Sequence, residues 1–204
     1  MSSGGLAARI SRPRDCAFAV GIPSSEAGYR HCLQGPAESF AKRYGIYDQY
    51  EHQIVRPLQV LAGRATRLGV RLVRDLTLDG FGSLCSDAEV HAVILFSHWD
   101  ESGVELRGGF ASTQAVIDSV PPEGSGVIDL CVCHPCGLVP RLRDHRPGYL
   151  IHFRSIEAQP RFWLTFYAAL FLSLHQNPRS YLDAFSDLQI SLLKRFPLAR
   201  EAES

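Results

Sequence analysis

His91-Ala-Val-Ile-Leu-Phe-Ser97 and Gly126-Val-Ile-Asp-Leu-Cys-Val-Cys133 are two unbroken apolar runs of strand length. Strands wetted on one side alternate apolar and polar residues, whereas strands covered on both faces read as continuous runs. Both stretches therefore predict parallel strands inside a sheet with helices on its two sides. Between them, residues 112–120 form a polar piece of helical length, as a strand-helix-strand unit requires. Further out, Cys16-Ala-Phe-Ala-Val-Gly-Ile22 predicts a first strand ending at Pro23-Ser-Ser. Phe40, Tyr44, Tyr47, Ile54, Leu58 and Leu61 recur mostly at intervals of about three, four or seven, predicting a helix over residues 36–68 interrupted near Gly45 and Pro57. Gly69-Val-Arg-Leu-Val-Arg-Asp-Leu76 alternates apolar and basic residues, the mark of an edge strand. Gly103-Val-Glu-Leu-Arg107 suggests a hairpin strand beside the first run, closed by Gly108-Gly109. Tyr149-Leu-Ile-His-Phe153 is a later strand, followed by helices over residues 160–174 and 179–196. The fold expected is α/β, a three-layer α/β/α sandwich on a mainly parallel sheet, with residues 1–14 and 197–204 loose and 15–196 one domain.

The composition agrees with one globular unit. The 204 residues carry 21 Lys and Arg against 21 Asp and Glu, and 46% are hydrophobic. A zero net charge speaks against a general nucleic-acid binder, whose affinity rests on a basic surface. The first residues hold no apolar run, and residues 162–174 are too short to span a bilayer, so neither signal nor anchor is read and a cytoplasmic protein is expected. Six cysteines in a reducing compartment predict free thiols.

Ligands of open α/β sheets bind beyond the carboxyl ends of the strands, where the loops diverge. Two reactive residues stand at two such ends, His98 after the first run and Cys133 closing the second. Were the strands neighbours, imidazole and thiol would share one rim. A thiolate is the nucleophile of such a pair, and the imidazole both takes up the thiol proton and protonates a leaving amine.

At these residues the sequence resembles the caspase-like cysteine peptidases, within them the bacterial CHAT group. Ala92-Val-Ile-Leu-Phe-Ser-His98 resembles the strand ending in the catalytic His, and Val127-Ile-Asp-Leu-Cys-Val-Cys133 the strand ending in the nucleophile. Gly148-Tyr-Leu-Ile-His-Phe153 looks like the next strand, Phe162-Trp-Leu-Thr-Phe-Tyr-Ala-Ala-Leu170 like the Phe-Tyr-x-x-Leu helix, and Ser180-Tyr-Leu-Asp-Ala184 like the second helix. The resemblance covers residues 90–195. It implies a caspase-like fold and a thiol protease with His98 as acid/base, Cys133 as nucleophile and Cys131 as its buried neighbour. It implies an oxyanion hole of main-chain amides at the nucleophile and at the residue after the His, Gly in the family and Trp99 here. It further implies a protein or peptide substrate, no cofactor, and a place in bacterial defence or regulated proteolysis. CHAT domains commonly carry helical repeats; none is read here, so a separate sensor or activator protein is expected.

Two other readings stay open. A caspase-fold interaction module without turnover would keep the fold and use Trp99 to fill the substrate's place. Cys131-Val-Cys133-His134-Pro-Cys136 also resembles a zinc cluster, although no second Cys pair accompanies it. The deaminase pattern fails because Glu101 lies three residues after His98 and position 139 is Val, and no Walker or Rossmann loop appears. His134, His145 and His152 read as surface residues, the Arg-rich residues 141–146 as a solvated loop, and the aromatic stripe of residues 162–171 as core.

Overall fold

The computed structural model describes residues 9–35, 39–100, 103–133, 135–154 and 158–195. In chain order it contains β1 (Ile10–Ser11), a 3₁₀ turn (Pro13–Asp15), β2 (Cys16–Val20), α1 (Glu26–Gln34), a 3₁₀ turn (Phe40–Tyr44), α2 (Tyr47–Tyr50), a π turn (Glu51–Val55), α3 (Arg56–Leu68) and β3 (Arg71–Val73). There follow α4 (Leu78–Ser86), β4 (Ala92–Phe96), β5 (Trp99–Asp100), β6 (Gly103–Leu106), β7 (Gly109–Ala111), α5 (Thr113–Ser119) and β8 (Gly126–Cys131). The chain continues through α6 (Leu138–His145), β9 (Tyr149–Phe153), α7 (Pro160–Gln176), β10 (Arg179–Ser180) and α8 (Tyr181–Arg195).

Five strands form one parallel sheet in the order β3-β2-β4-β8-β9, flanked by helices as a three-layer α/β/α sandwich. The continuous apolarity of β2, β4 and β8 has its physical cause here, because every residue of all three is buried. Successive side chains point to opposite faces. Cys16, Phe18, Val20, Ala92, Ile94, Phe96, Val127 and Cys131 enter one core with α3, α7 and α8, while Ala17, Ala19, Val93, Leu95, Ile128 and Leu130 enter another with α4, α5 and α6. β3 is the edge strand its alternation predicts.

Several expectations are corrected. Residues 10–14 are not loose: Ile10 and Ser11 pair antiparallel with Ser180 and Arg179. Residues 197–204 lie outside the described residues. Pro57 does not interrupt the helix. It sits in the first turn of α3, and the wide π turn before it absorbs the hydrogen bond that its missing N–H cannot make. The break falls at Gly45, where φ is +67°. The strand 103–106 pairs with β5 and β7 in a separate three-stranded antiparallel sheet rather than with β4. Residues 138–145 are helix, not loop, because Leu138, Val139 and Leu142 share one buried face and Pro140 falls in the first turn, where its lost donor costs nothing.

Candidate functional site

β4 and β8 are parallel neighbours in a register that pairs Phe96 with Cys131. The Ser97 N–H donates to the Cys131 carbonyl at 3.2 Å, the last rung between them. His98 and Cys133 thus each lie two residues beyond the same rung, on the carboxyl edge of the sheet. The second strand ends at Cys131 and not at Cys133 as its apolar run suggested. β4 turns aside after Ser97 into the hairpin, where the Glu105 N–H donates to the His98 carbonyl at 2.8 Å and Ser97 Oγ donates to the Glu105 carbonyl. Residues 132 and 133 are left with no partner strand on that side.

The His98 ring is 1% exposed. Its faces and edges meet aromatic carbon: Phe40 stacks on it at 5.2 Å between centroids with a 28° interplanar angle, and Phe110 stands edge-on at 6.2 Å. Neither ring nitrogen has a hydrogen-bond partner among the described residues. Asp100 Oδ2 is 3.9 Å from Nε2, beyond a hydrogen bond but near enough to attract a protonated ring. Burial first, and the nearby Arg43 charge second, push the imidazole down to about 4, with Asp100 opposing. The ring is therefore neutral at neutral pH, the form that accepts a proton.

Cys133 is half-buried and Cys136 exposed, and all six cysteines are free thiols. Tyr44, on the same 3₁₀ turn as Phe40 and Arg43, has its phenol pushed up to about 12, by burial first and by the Cys133 charge second. That turn thus lays Phe40 on the His98 ring and holds Tyr44 within electrostatic range of Cys133. Cys131 lies in the core beneath, 1% exposed, its thiol pushed up to about 12 by burial. It is inert as a nucleophile, because the reactive form is the thiolate.

Trp99 turns away from His98. Its indole packs on the opposite core, against the stretch where a Cβ on Gly137 would stand 3.4 Å from the ring. The Glu105-to-His98 bond makes Trp99 and Val104 a non-hydrogen-bonded pair, so the Trp99 N–H points away from β6.

One strand-step below Cys131 is a second polar group. Asp129 is 0% exposed and accepts from His152 Nδ1 at 3.0 Å, Tyr167 Oη at 2.9 Å and Tyr181 Oη at 2.6 Å. His152 is thus a paired, partly buried residue and not the surface one expected. His145 is exposed at the end of α6, and His134 lies outside the described residues. Among the described residues, no group of three or more His, Cys, Asp or Glu is gathered to hold a metal ion, and no helix is long and apolar enough to cross a membrane.

The sequence pointed to His98 and Cys133 but not to Phe40, Arg43, Tyr44, Glu105 or Phe110, which surround His98 or its cover. The one signal available was Glu105, an acid inside the otherwise apolar strand 103–106. No protein-family model matches the chain, and no curated protein matches it.

Proposed function

We propose that the chain is a caspase-like cysteine endopeptidase of the CHAT type, with Cys133 as nucleophile and His98 as general acid/base. The observation that carries this reading is the strand register: Phe96 opposite Cys131 sets a neutral imidazole and a half-buried thiol just past the ends of adjacent strands. In the reaction the Cys133 Sγ–H proton passes to a ring nitrogen of His98, and the thiolate sulfur adds to the peptide carbonyl carbon. Main-chain N–H groups of Cys133 and Trp99 hold the oxyanion. The C–N bond then breaks as His98 returns the proton to the leaving amine, and water, deprotonated by His98, splits the thioester to the acid and the free thiol. The indole packed away from His98 supports access to the Trp99 amide. No metal or organic cofactor enters these steps, and the activator is a separate protein of a bacterial defence or regulatory system.

A second reading, an interaction module without turnover, draws on the near-complete burial of His98. A thiol-directed peptidyl probe, followed by intact mass, separates the two. Cys133→Ala abolishes labelling, His98→Ala slows it about a hundredfold to ten-thousandfold, and Cys131→Ala leaves it intact. Equal loss in folded Cys131→Ala and Cys133→Ala sinks the assignment, and absence of His98-dependent labelling in the presence of candidate activators favours the module.

A further inference from the structure

We propose that the Phe40–Tyr44 turn is an autoinhibitory cap over His98, latched by the carboxylate of Glu105. The inference rests on the peptidase reading and concerns how that site is kept silent.

A general base must touch its substrate or the nucleophile's proton, yet His98 is 1% exposed. Phe110 belongs to the hairpin that His98 itself leads into, and moves with it. Phe40 comes from a different part of the chain and lies flat on the ring. Two side chains of its turn oppose catalysis. Phe40 excludes solvent and substrate from the imidazole, and Arg43 disfavours the imidazolium that proton uptake must create.

A carboxylate of the site strand ties down the start of the turn, while Lys42 Nζ, donating to the Gly35 carbonyl at 2.6 Å, and the buried Ala41 hold the rest of it. Glu105 accepts from Ser39 Oγ and, at 2.9 Å, from the Phe40 N–H. Glu105 is itself 3% exposed and fixed to the site strand, since its N–H holds the His98 carbonyl and its carbonyl takes the Ser97 hydroxyl. Cap and base are thereby clamped to one residue. A buried carboxylate held by neutral donors is an economical latch, because burial raises its carboxyl and the two donors at the turn are what offset that cost. Beside it lies a cavity of about 650 Å³ lined by Gly21, Cys32, Ser39, Glu105 and Phe110, which leaves room next to the latch. Ala41 is wholly buried, so uncapping is a rotation of Phe40 off the ring about that anchor, with the turn otherwise retained.

The test uses the full chain, with Phe40→Ala to remove the cover and Ser39→Ala to remove one latch bond, together with the cap Ser39 Oγ gives the Ala41 N–H, while leaving every apolar contact. Both are checked for a cooperative thermal transition. In Phe40→Ala the His98 imidazole, followed by NMR, titrates well above the value near 4 of the wild type. His98-dependent labelling of Cys133 by the peptidyl probe accelerates by at least about tenfold in Phe40→Ala and by a smaller factor in Ser39→Ala. Alkylation by iodoacetamide, which needs no histidine, changes little. If wild type and Phe40→Ala label at the same His98-dependent rate, the cap is overturned and the peptidase stands. If the His98 titration rises but no variant labels in a His98-dependent way, the turn covers an inert histidine, and the peptidase reading and the autoinhibition fall together.

Discussion

Asp129 and His98 stand on neighbouring strands or their ends, both buried on the same face of the sheet, and they are treated in opposite ways. Asp129 has three donors closed around it, one imidazole and two phenols. Neither His98 nitrogen has a hydrogen-bond partner among the described residues, and Asp100 stands 3.9 Å from Nε2. A buried polar group in a core is ordinarily satisfied, because leaving it bare costs about 1–3 kcal/mol. The saturated carboxylate is thus a strut that locks β8, β9, α7 and α8 together. The imidazole, like Tyr29 Oη and Trp163 Nε1, is buried without a hydrogen-bond partner among the described residues, and unlike Asp129 it carries that cost uncompensated.

The largest effect that tests this contrast is Asp129→Ala. Two phenols and an imidazole are left buried without an acceptor, and urea unfolding should record a loss of about 3–5 kcal/mol. A loss below about 1 kcal/mol would break the comparison at its structural end.

The second effect is in pH. His98 takes its proton near 4 when folded and near 6.5 when unfolded, so between those values the unfolded chain binds more protons. Its share of stability is whole above about 6.5 and falls away as the pH drops to about 4, by roughly 3 kcal/mol at most. Asp129 is held below the ordinary carboxylate range, its surrounding imidazole and phenols outweighing burial. Its contribution is present above about 3.9 and is lost only as the pH falls through the lowered folded value. Stability curves of wild type and His98→Leu should therefore diverge between pH 6.5 and 4 and run parallel below. Parallel curves throughout would show that His98 is not held neutral.

The smallest effect is the most discriminating. At pH 7, His98→Leu removes two unpartnered nitrogens while keeping apolar contact with Phe40 and Phe110, and stability should stay within about 1 kcal/mol of wild type or rise. A loss above about 2 kcal/mol would mean that the imidazole is structural after all.

Much of this architecture was legible in the chain. The apolar runs at 91–97 and 126–133 predicted parallel, twice-covered strands, and the connection between them, one hairpin and one helix, was compatible with the neighbouring places they take in the sheet. Ser112 before residues 113–119 is an N-cap, its side chain accepting from the Ala115 N–H at 3.2 Å. α1 leaves little trace in the sequence, since only Tyr29 of Glu26–Gln34 is buried, and Gly80 and Gly82 weaken the helical signal of α4. The partners of Asp129 were equally hidden, for one carboxylate inside an apolar strand does not say which phenols will close on it.

What the sequence by itself determined is the parallel, twice-covered strands and the standing of His98 and Cys133 near the carboxyl ends of two of them, because burial on two faces imprints a continuous local pattern on the residues that suffer it; that the two strands are neighbours, with Phe96 opposite Cys131, was decided by the tertiary structure. The tertiary structure alone also decided the state of those two groups. Phe40 on the ring, Arg43 and Tyr44 beside them, and Glu105 beneath the turn come from segments far apart in the chain, and contacts between distant segments follow from how elements pack, leaving no periodicity that a linear reading can detect.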